Sequence, residues 1–213
     1  MMKELINELE SVLIESGNPI LQYMDDDIID VFSHLKTKEW ISWYFNNNEL
    51  ECYPELLELY LWKTGCGAKH LYDYSETTGE EFFMRLSTFG NYMSYSQSTD
   101  MFCQNRCSHD LFSDDYMVPF ILNGYYEYPI LLNMNPQSDT YKSLFLLCPQ
   151  VTKSEKPVMM YDSLESWMKT LIQCYKQKTY HIDEKGALIT DVDAEYLLSK
   201  NMNPRSPYWK LYV

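Results

Sequence analysis

Cys103, Cys107 and His109, in the stretch CQNRCSH, form the one place in this chain where metal-type ligands crowd together. Thiolate and imidazole suit zinc, but a structural site needs four ligands, usually as two pairs at set spacing. C-x3-C-x-H supplies three, and no second pair follows, so a fourth would have to come through the fold from Cys66 or His70. The segment reads as a polar loop with incidental cysteines. A metal-binding protein using Cys103, Cys107 and His109 stands as a lesser alternative. Nucleophilic catalysis has still less to build on. His34, His70, His109 and His181 fall in unrelated contexts, and no serine sits in a G-x-S-x-G elbow. His34 lies near the end of a predicted helix, where an imidazolium suits the negative pole. The carboxylates at Asp25–Asp27 and Asp114–Asp115 are adjacent, but in a chain with 31 acids against 17 bases they read as solvated surface. Neither G-x-G-x-x-G nor G-x-x-x-x-G-K occurs, so dinucleotide and P-loop phosphate binding have no support. The residues therefore predict no enzyme, no cofactor and no bound metal.

Tyrosine is the residue left to explain. There are 19 in 213 positions, several beside acids in turn-like segments: Tyr72-Asp73-Tyr74 and Tyr125-Tyr126-Glu127-Tyr128. Tyrosine offers a large, stiff contact area with a polar tip, and is enriched at protein interfaces. Acids beside it select a basic partner. The net charge is 17 − 31 = −14. That excess speaks against direct binding of nucleic acid or an anionic membrane, which needs a basic patch, and it favours fast capture of a basic protein. The expected contact surface is Tyr72, Asp73, Tyr74, Asp114, Asp115, Tyr126, Glu127 and Tyr128. The six cysteines are scattered and several lie in apolar runs, and the first residues lack the apolar run of a secretory signal. Reduced thiols and a cytoplasmic setting are expected. No stretch approaches 18 apolar residues, so no membrane span is expected.

The elements that must carry these residues follow from periodicity. Lys3–Ser16 reads as a helix stopped by Gly17-Asn18-Pro19, Asp25–Lys36 as a second and Thr37–Phe45 as a third. A fourth opens at Pro54, at a first helical position where its missing N–H is not needed, and closes on Gly65 and Gly67. Glu80–Ser96 mixes helical and strand signals, and Ser98–Asp115 reads as a polar loop. Met117–Leu122 and Tyr125–Asn133 then read as strands joined by Asn123-Gly124, the strongest two-residue hairpin signal. Ser143–Cys148 and Lys156–Tyr161 are further strands with prolines at their ends. A helix over Ser163–Lys178 follows, with Asp162 as cap and Glu165 reaching back to it. Thr179–Asp183 and Ala187–Thr190 form a second hairpin, Asp191–Lys200 a closing helix, and the proline-containing tail NMNPRSPYWKLYV reads as extended. The predicted core is Trp40, Leu57, Tyr60, Leu61, Ile121, Leu131, Phe145, Leu164, Trp167 and Leu171. Helices first, an antiparallel sheet next, then a helix and hairpin: the order is that of one α+β domain, N-terminal helices packed on a mostly antiparallel sheet, over residues 1–213. A chain of this length buries about 70% of its unfolded surface.

In this order, YPELLELYLWKTGCG, MVPFIL, YPILLNMN and YDSLESWMKTL resemble the SUKH superfamily, which includes bacterial immunity proteins and a yeast cell-wall-synthesis regulator. The family pattern is a helix opening with an aromatic and a proline and closing on a glycine turn. Strands entered through proline follow, then a short strand leading into a helix that begins Ser/Asp-Phe/Leu-Glu-x-Trp/Phe. The resemblance covers roughly Trp40 to Trp209, and its motifs are degenerate. It implies the same α+β arrangement. For function it implies a cytoplasmic immunity protein that neutralises a toxin, a nuclease in many such systems, by sitting on it. The family offers no catalytic residues to carry over. The alternative it implies is a regulatory scaffold of the cell-wall-regulator type, but those carry long disordered flanks that this chain lacks. The helical extension over residues 1–36 and the stretch Ser98–Asp115 depart from a minimal member, which leaves the partner's identity open.

Overall fold

The computed structural model describes residues 2–24, 37–47, 50–63, 116–121, 130–184 and 188–211, with backbone alone at 23, 37, 40, 43, 44, 47, 119 and 121. Helix α1 spans Met2–Glu15 and buries Leu5, Ile6, Leu9, Val12 and Leu13, one apolar stripe at helical spacing. Gly17 ends it at φ 71°, the left-handed conformation that glycine takes without a Cβ penalty. The next turn, a 3-10 helix over Pro19–Tyr23, is capped by Asn18, whose Oδ1 accepts the Ile20 N–H at 2.9 Å. Helix α2 spans Thr37–Asn47 and buries Ile41 and Phe45. Helix α3 spans Pro54–Trp62, with the proline in its first turn as expected. Its buried side is Leu56, Leu59 and Tyr60. Leu57 is only half-buried and Leu61 is 45% exposed, so Leu61 is not core as predicted. Five apolar residues in six positions are wider than the stripe a helix can turn toward one neighbour.

Four strands form an antiparallel sheet in the order β1-β2-β3-β4: Met117–Ile121, Ile130–Asn133, Leu144–Leu146 and Val158–Tyr161. A tight turn at Asn123-Gly124 continued as a regular ladder would set Ile121 opposite Tyr126. Ile121 instead pairs with Ile130, and residues 122–129, with the expected turn and the first part of the second strand, lie outside the described residues. Alternation sorts the side chains between two faces. Phe120, Ile130, Leu132, Leu144, Leu146 and Met160 join the main core, whereas Leu131, with Met117, Phe145 and Leu147, forms a separate small cluster. Leu131 and Phe145 were predicted as core, and they belong to this second cluster. All four residues of β2 are buried, three of them apolar in an unbroken run and the fourth the polar Asn133.

A single helical turn, α4, spans Pro149–Thr152. Helix α5 spans Leu164–Lys176 and is the hub of the core, burying Leu164, Trp167, Met168, Leu171 and Cys174 among others. The Trp167 ring meets Phe120 of β1 edge to face, with centroids 5.4 Å apart. Its cap is Ser163, not Asp162 with Glu165. The Ser163 hydroxyl accepts the Ser166 N–H at 3.0 Å, and the Ser166 hydroxyl accepts the Ser163 N–H at 2.8 Å. Glu165 instead pairs with Lys169 one turn on, at 2.9 Å. Strands β5 (Tyr180–Ile182) and β6 (Leu188–Thr190) form the predicted hairpin, and α6 (Val192–Met202) is capped by the Asp191 carboxylate. The tail is not extended: it turns into a 3-10 helix at Tyr208–Lys210, and Tyr208 and Trp209 are buried. Trp209 Nε1 donates to the Met160 carbonyl at 2.7 Å, and the Ser206 hydroxyl to the Met159 carbonyl at 3.0 Å, so the tail is pinned beside β4. The chain is thus α+β, with α1, α3 and α5 sharing one apolar cluster with the inner sheet face.

Candidate binding surface

The eight residues expected to contact a partner, Tyr72, Asp73, Tyr74, Asp114, Asp115, Tyr126, Glu127 and Tyr128, lie outside the described residues. So do Cys66, His70, Cys103, Cys107 and His109. The Trp40 and Ile121 side chains are likewise outside. Among the described residues, no cluster of three or more His, Cys, Asp or Glu is placed to hold a metal, and no helix is long and apolar enough to cross a membrane.

What the fold does bring together is a tyrosine–carboxylate group around a lysine. The chain between β2 and β3 is shaped by its own short polar side chains. Asn133 Oδ1 accepts the Asn135 N–H, Asn135 Oδ1 accepts the Gln137 N–H, and Asn133 Nδ2 donates to Thr140 Oγ1, each at 2.9 Å. These bonds fold the loop back on itself. It closes at Lys142, in the left-handed region at φ 68°, whose N–H returns to the Asn133 carbonyl at 2.8 Å. The Lys142 ammonium reaches the start of α3, 3.1 Å from Glu55 Oε2. It stands 4.4 Å from the Tyr53 ring centroid and 5.5 Å from that of Tyr141. The two rings meet edge to face at 5.8 Å. An ammonium over an aromatic face is attracted by the ring quadrupole, and a carboxylate adds a charged partner. For the Glu55 carboxyl, slight burial pushes upward, but hydrogen bonds from its own backbone N–H and from Lys142, with the lysine charge, hold it below the ordinary value. Burial raises the Tyr53 hydroxyl far above its usual range, and burial with nearby Glu51 and Glu55 raises Tyr141. Both are neutral phenols. The sequence places Glu51 and Glu55 two residues to either side of Tyr53, but the lysine comes from 87 positions beyond Glu55 and the second ring from beside it, which no local pattern shows. The helix signal at Pro54 drew the segment to a structural reading.

A second feature lies where the last turn of α1, the end of α5 and β5 converge around a groove of about 700 Å³. Tyr175 and Tyr180 line it, their rings edge to face at 5.5 Å. The Tyr175 hydroxyl accepts from Asn18 Nδ2 at 2.7 Å, and the Tyr180 hydroxyl donates to the Glu195 carboxylate. Glu15, Lys178 and His181 add charged or polar groups to its wall. Nothing in the sequence announced it, because its walls come from both ends of the chain.

Compared with known proteins, the chain matches no family model, and no curated protein matches it.

Proposed function

We propose that this chain is a non-enzymatic immunity protein that neutralises a basic toxin domain by binding it directly. The observation that carries the reading is the Tyr53–Tyr141–Glu55 group, which already holds a lysine ammonium, its own Lys142, between two rings and a carboxylate. Tyrosine beside acid recurs along the chain, with a net charge of −14, and those are the elements that would take the lysines and arginines of a basic partner. A nuclease surface is basic because it holds phosphates, and an acidic, tyrosine-rich protein is a fitting plug for it. The order of motifs resembling the SUKH superfamily supports the same reading. The contact is placed at Tyr72, Asp73, Tyr74, Asp114, Asp115, Tyr126, Glu127 and Tyr128, on segments too polar and turn-like for full burial.

The reading expects a gene for a basic toxin domain beside this chain's own, and the test is association kinetics with that domain. Steering is screened over about 8–10 Å at 0.1–0.15 M salt, so the association rate should fall steeply as salt rises. Reversing charge with Asp114→Lys and Asp115→Lys together should slow association more than it speeds dissociation. Equal association rates at low and high salt would sink the electrostatic argument.

A further inference from the structure

We infer that residues 203–211 are a strap over the outer edge of β4, and that this edge, once uncovered, pairs with β4 of a second copy of the chain. β4 is the last strand of the sheet, so no described strand lies along its outer side. The backbone groups on that side are nonetheless taken. The Met159 carbonyl accepts from the Ser206 hydroxyl at 3.0 Å, and the Met160 carbonyl from Trp209 Nε1 at 2.7 Å. Just past the strand, the Asp162 N–H donates to Asn203 Oδ1 at 3.2 Å. Successive carbonyls of a regular strand point to opposite sides. Here the register with β3 skips Met160, and that bulge lets two neighbouring carbonyls meet the same segment.

The strap does the work of a fifth strand without being one. Among the described residues, no backbone-to-backbone bond joins it to β4. Pro204 and Pro207 lack the N–H groups that a ladder needs, so the strap is itself a poor template for further strands. Its hold comes from side chains. Asn203 and Ser206 are buried, and the Trp209 ring meets Tyr208, Tyr161 and Tyr196 with centroids 4.8, 5.9 and 6.5 Å away. What it hides is a strand suited to pairing. Val158-Met159-Met160-Tyr161 carries no charge, and an uncharged apolar edge is the kind that recruits another chain. Two identical edges related by a two-fold axis run antiparallel, each supplying donors and acceptors to the other. The occupant that fits the opened edge is therefore a second copy.

The experiment needs only the purified full chain, so its outcome is independent of toxin binding. Trp209→Ala removes the anchoring ring. Ser206→Ala with Trp209→Phe keeps a ring and removes both side-chain donors, so it retains the fold, checked by circular dichroism, where the first variant does not. The Asp162 amide reports the strap directly, because its hydrogen bond ends on Asn203. Its hydrogen exchange should speed up by about tenfold or more once the strap lifts. In sedimentation velocity the wild type should be a monomer and the opened variants dimers at a concentration on the order of 100 μM, the weak range expected of so small an interface. Adding Met159→Lys, a charge on the edge strand, should return them to monomers. A dimeric wild type, monomers whose Asp162 amide exchanges fast, dimers that survive Met159→Lys, or an Asp162 amide still protected in both variants would each overturn the strap.

Discussion

A thiol reacts as its thiolate, and burial keeps two of the cysteines far from that state. Desolvation pushes Cys52 and Cys174 up to about 12 from an ordinary 9.0. In the native protein at pH 8, alkylation of Cys174, which is fully buried, should therefore proceed only through unfolding. Mass spectrometry of partly labelled protein should show it trailing its rate in denaturant by orders of magnitude, and equal rates would contradict the burial. Denatured, reduced-handled protein should titrate six free thiols. A second residue-scale prediction concerns Glu55. Its carboxyl is depressed in the folded state, so its pairing with Lys142 stabilises fully above the ordinary carboxylate range and is lost as pH falls through the lower folded value. The melting-temperature gap between wild type and Lys142→Met should be present at pH 7 and close as the pH is taken below that range. A gap that persists in acid would mean the lysine acts through its contacts with the Tyr53 and Tyr141 rings or the packing of its stem rather than through the ion pair.

Among the elements, α5 tests how a helix start is chosen. Asp162 and Ser163 are both competent caps, and Glu165 and Ser166 both stand three residues beyond one of them. The periodic stripe of Leu164, Trp167, Met168 and Leu171 made the helix legible, but two overlapping capping boxes left its first residue open. The structure decides for Ser163 because Asp162 is engaged elsewhere: its N–H donates to Asn203 Oδ1 at 3.2 Å, and its Oδ2 accepts the Arg205 N–H at 3.2 Å. Ser163→Ala should lower stability by about 1 kcal/mol, as loss of a cap does, measured by chemical denaturation. Glu165→Gln should change it by no more than a surface pair, a few tenths of a kcal/mol. The reverse ranking would restore Asp162 and Glu165 as the cap. The tail shows a limit of another kind. Its prolines argued for extension, but Trp209 and Ser206 find carbonyls on β4, some 50 residues earlier, and tertiary bonds outweigh local preference.

For the molecule as a whole, Trp167 is the largest fully buried side chain among the described residues. It is wholly buried, on the hub helix, against Phe120 of the sheet. Trp167→Ala should destabilise the fold by roughly 3–5 kcal/mol, with near- and far-UV circular dichroism lost in one transition. An unchanged melting temperature would show that α5 does not dock as described. The α+β class was legible because it rests on element order and periodicity, properties of neighbouring residues. The two clusters on the surface were not, because each joins residues far apart: Glu55 meets Lys142 across 87 positions, and Asn18 meets Tyr175 across 157. No local spacing encodes such a meeting. The acid–tyrosine segments legible in the sequence at Tyr72–Tyr74 and Tyr126–Tyr128 lie outside the described residues, so the two views of the surface complement each other at different positions.

That last separation bears on how the protein is made. The apolar stripe of α1 is covered largely by α5, and Asn18 completes its bonds only on Tyr175. A ribosome adding about 5–20 residues each second emits α1 many seconds before the helix that shields it. Throughout that interval Leu5, Ile6, Leu9 and Leu13 remain exposed to solvent or to whatever else will cover them. Nascent chains of this protein should thus be clients of holding chaperones until α5 emerges, and truncations ending before Leu164 should aggregate where the full chain stays in solution.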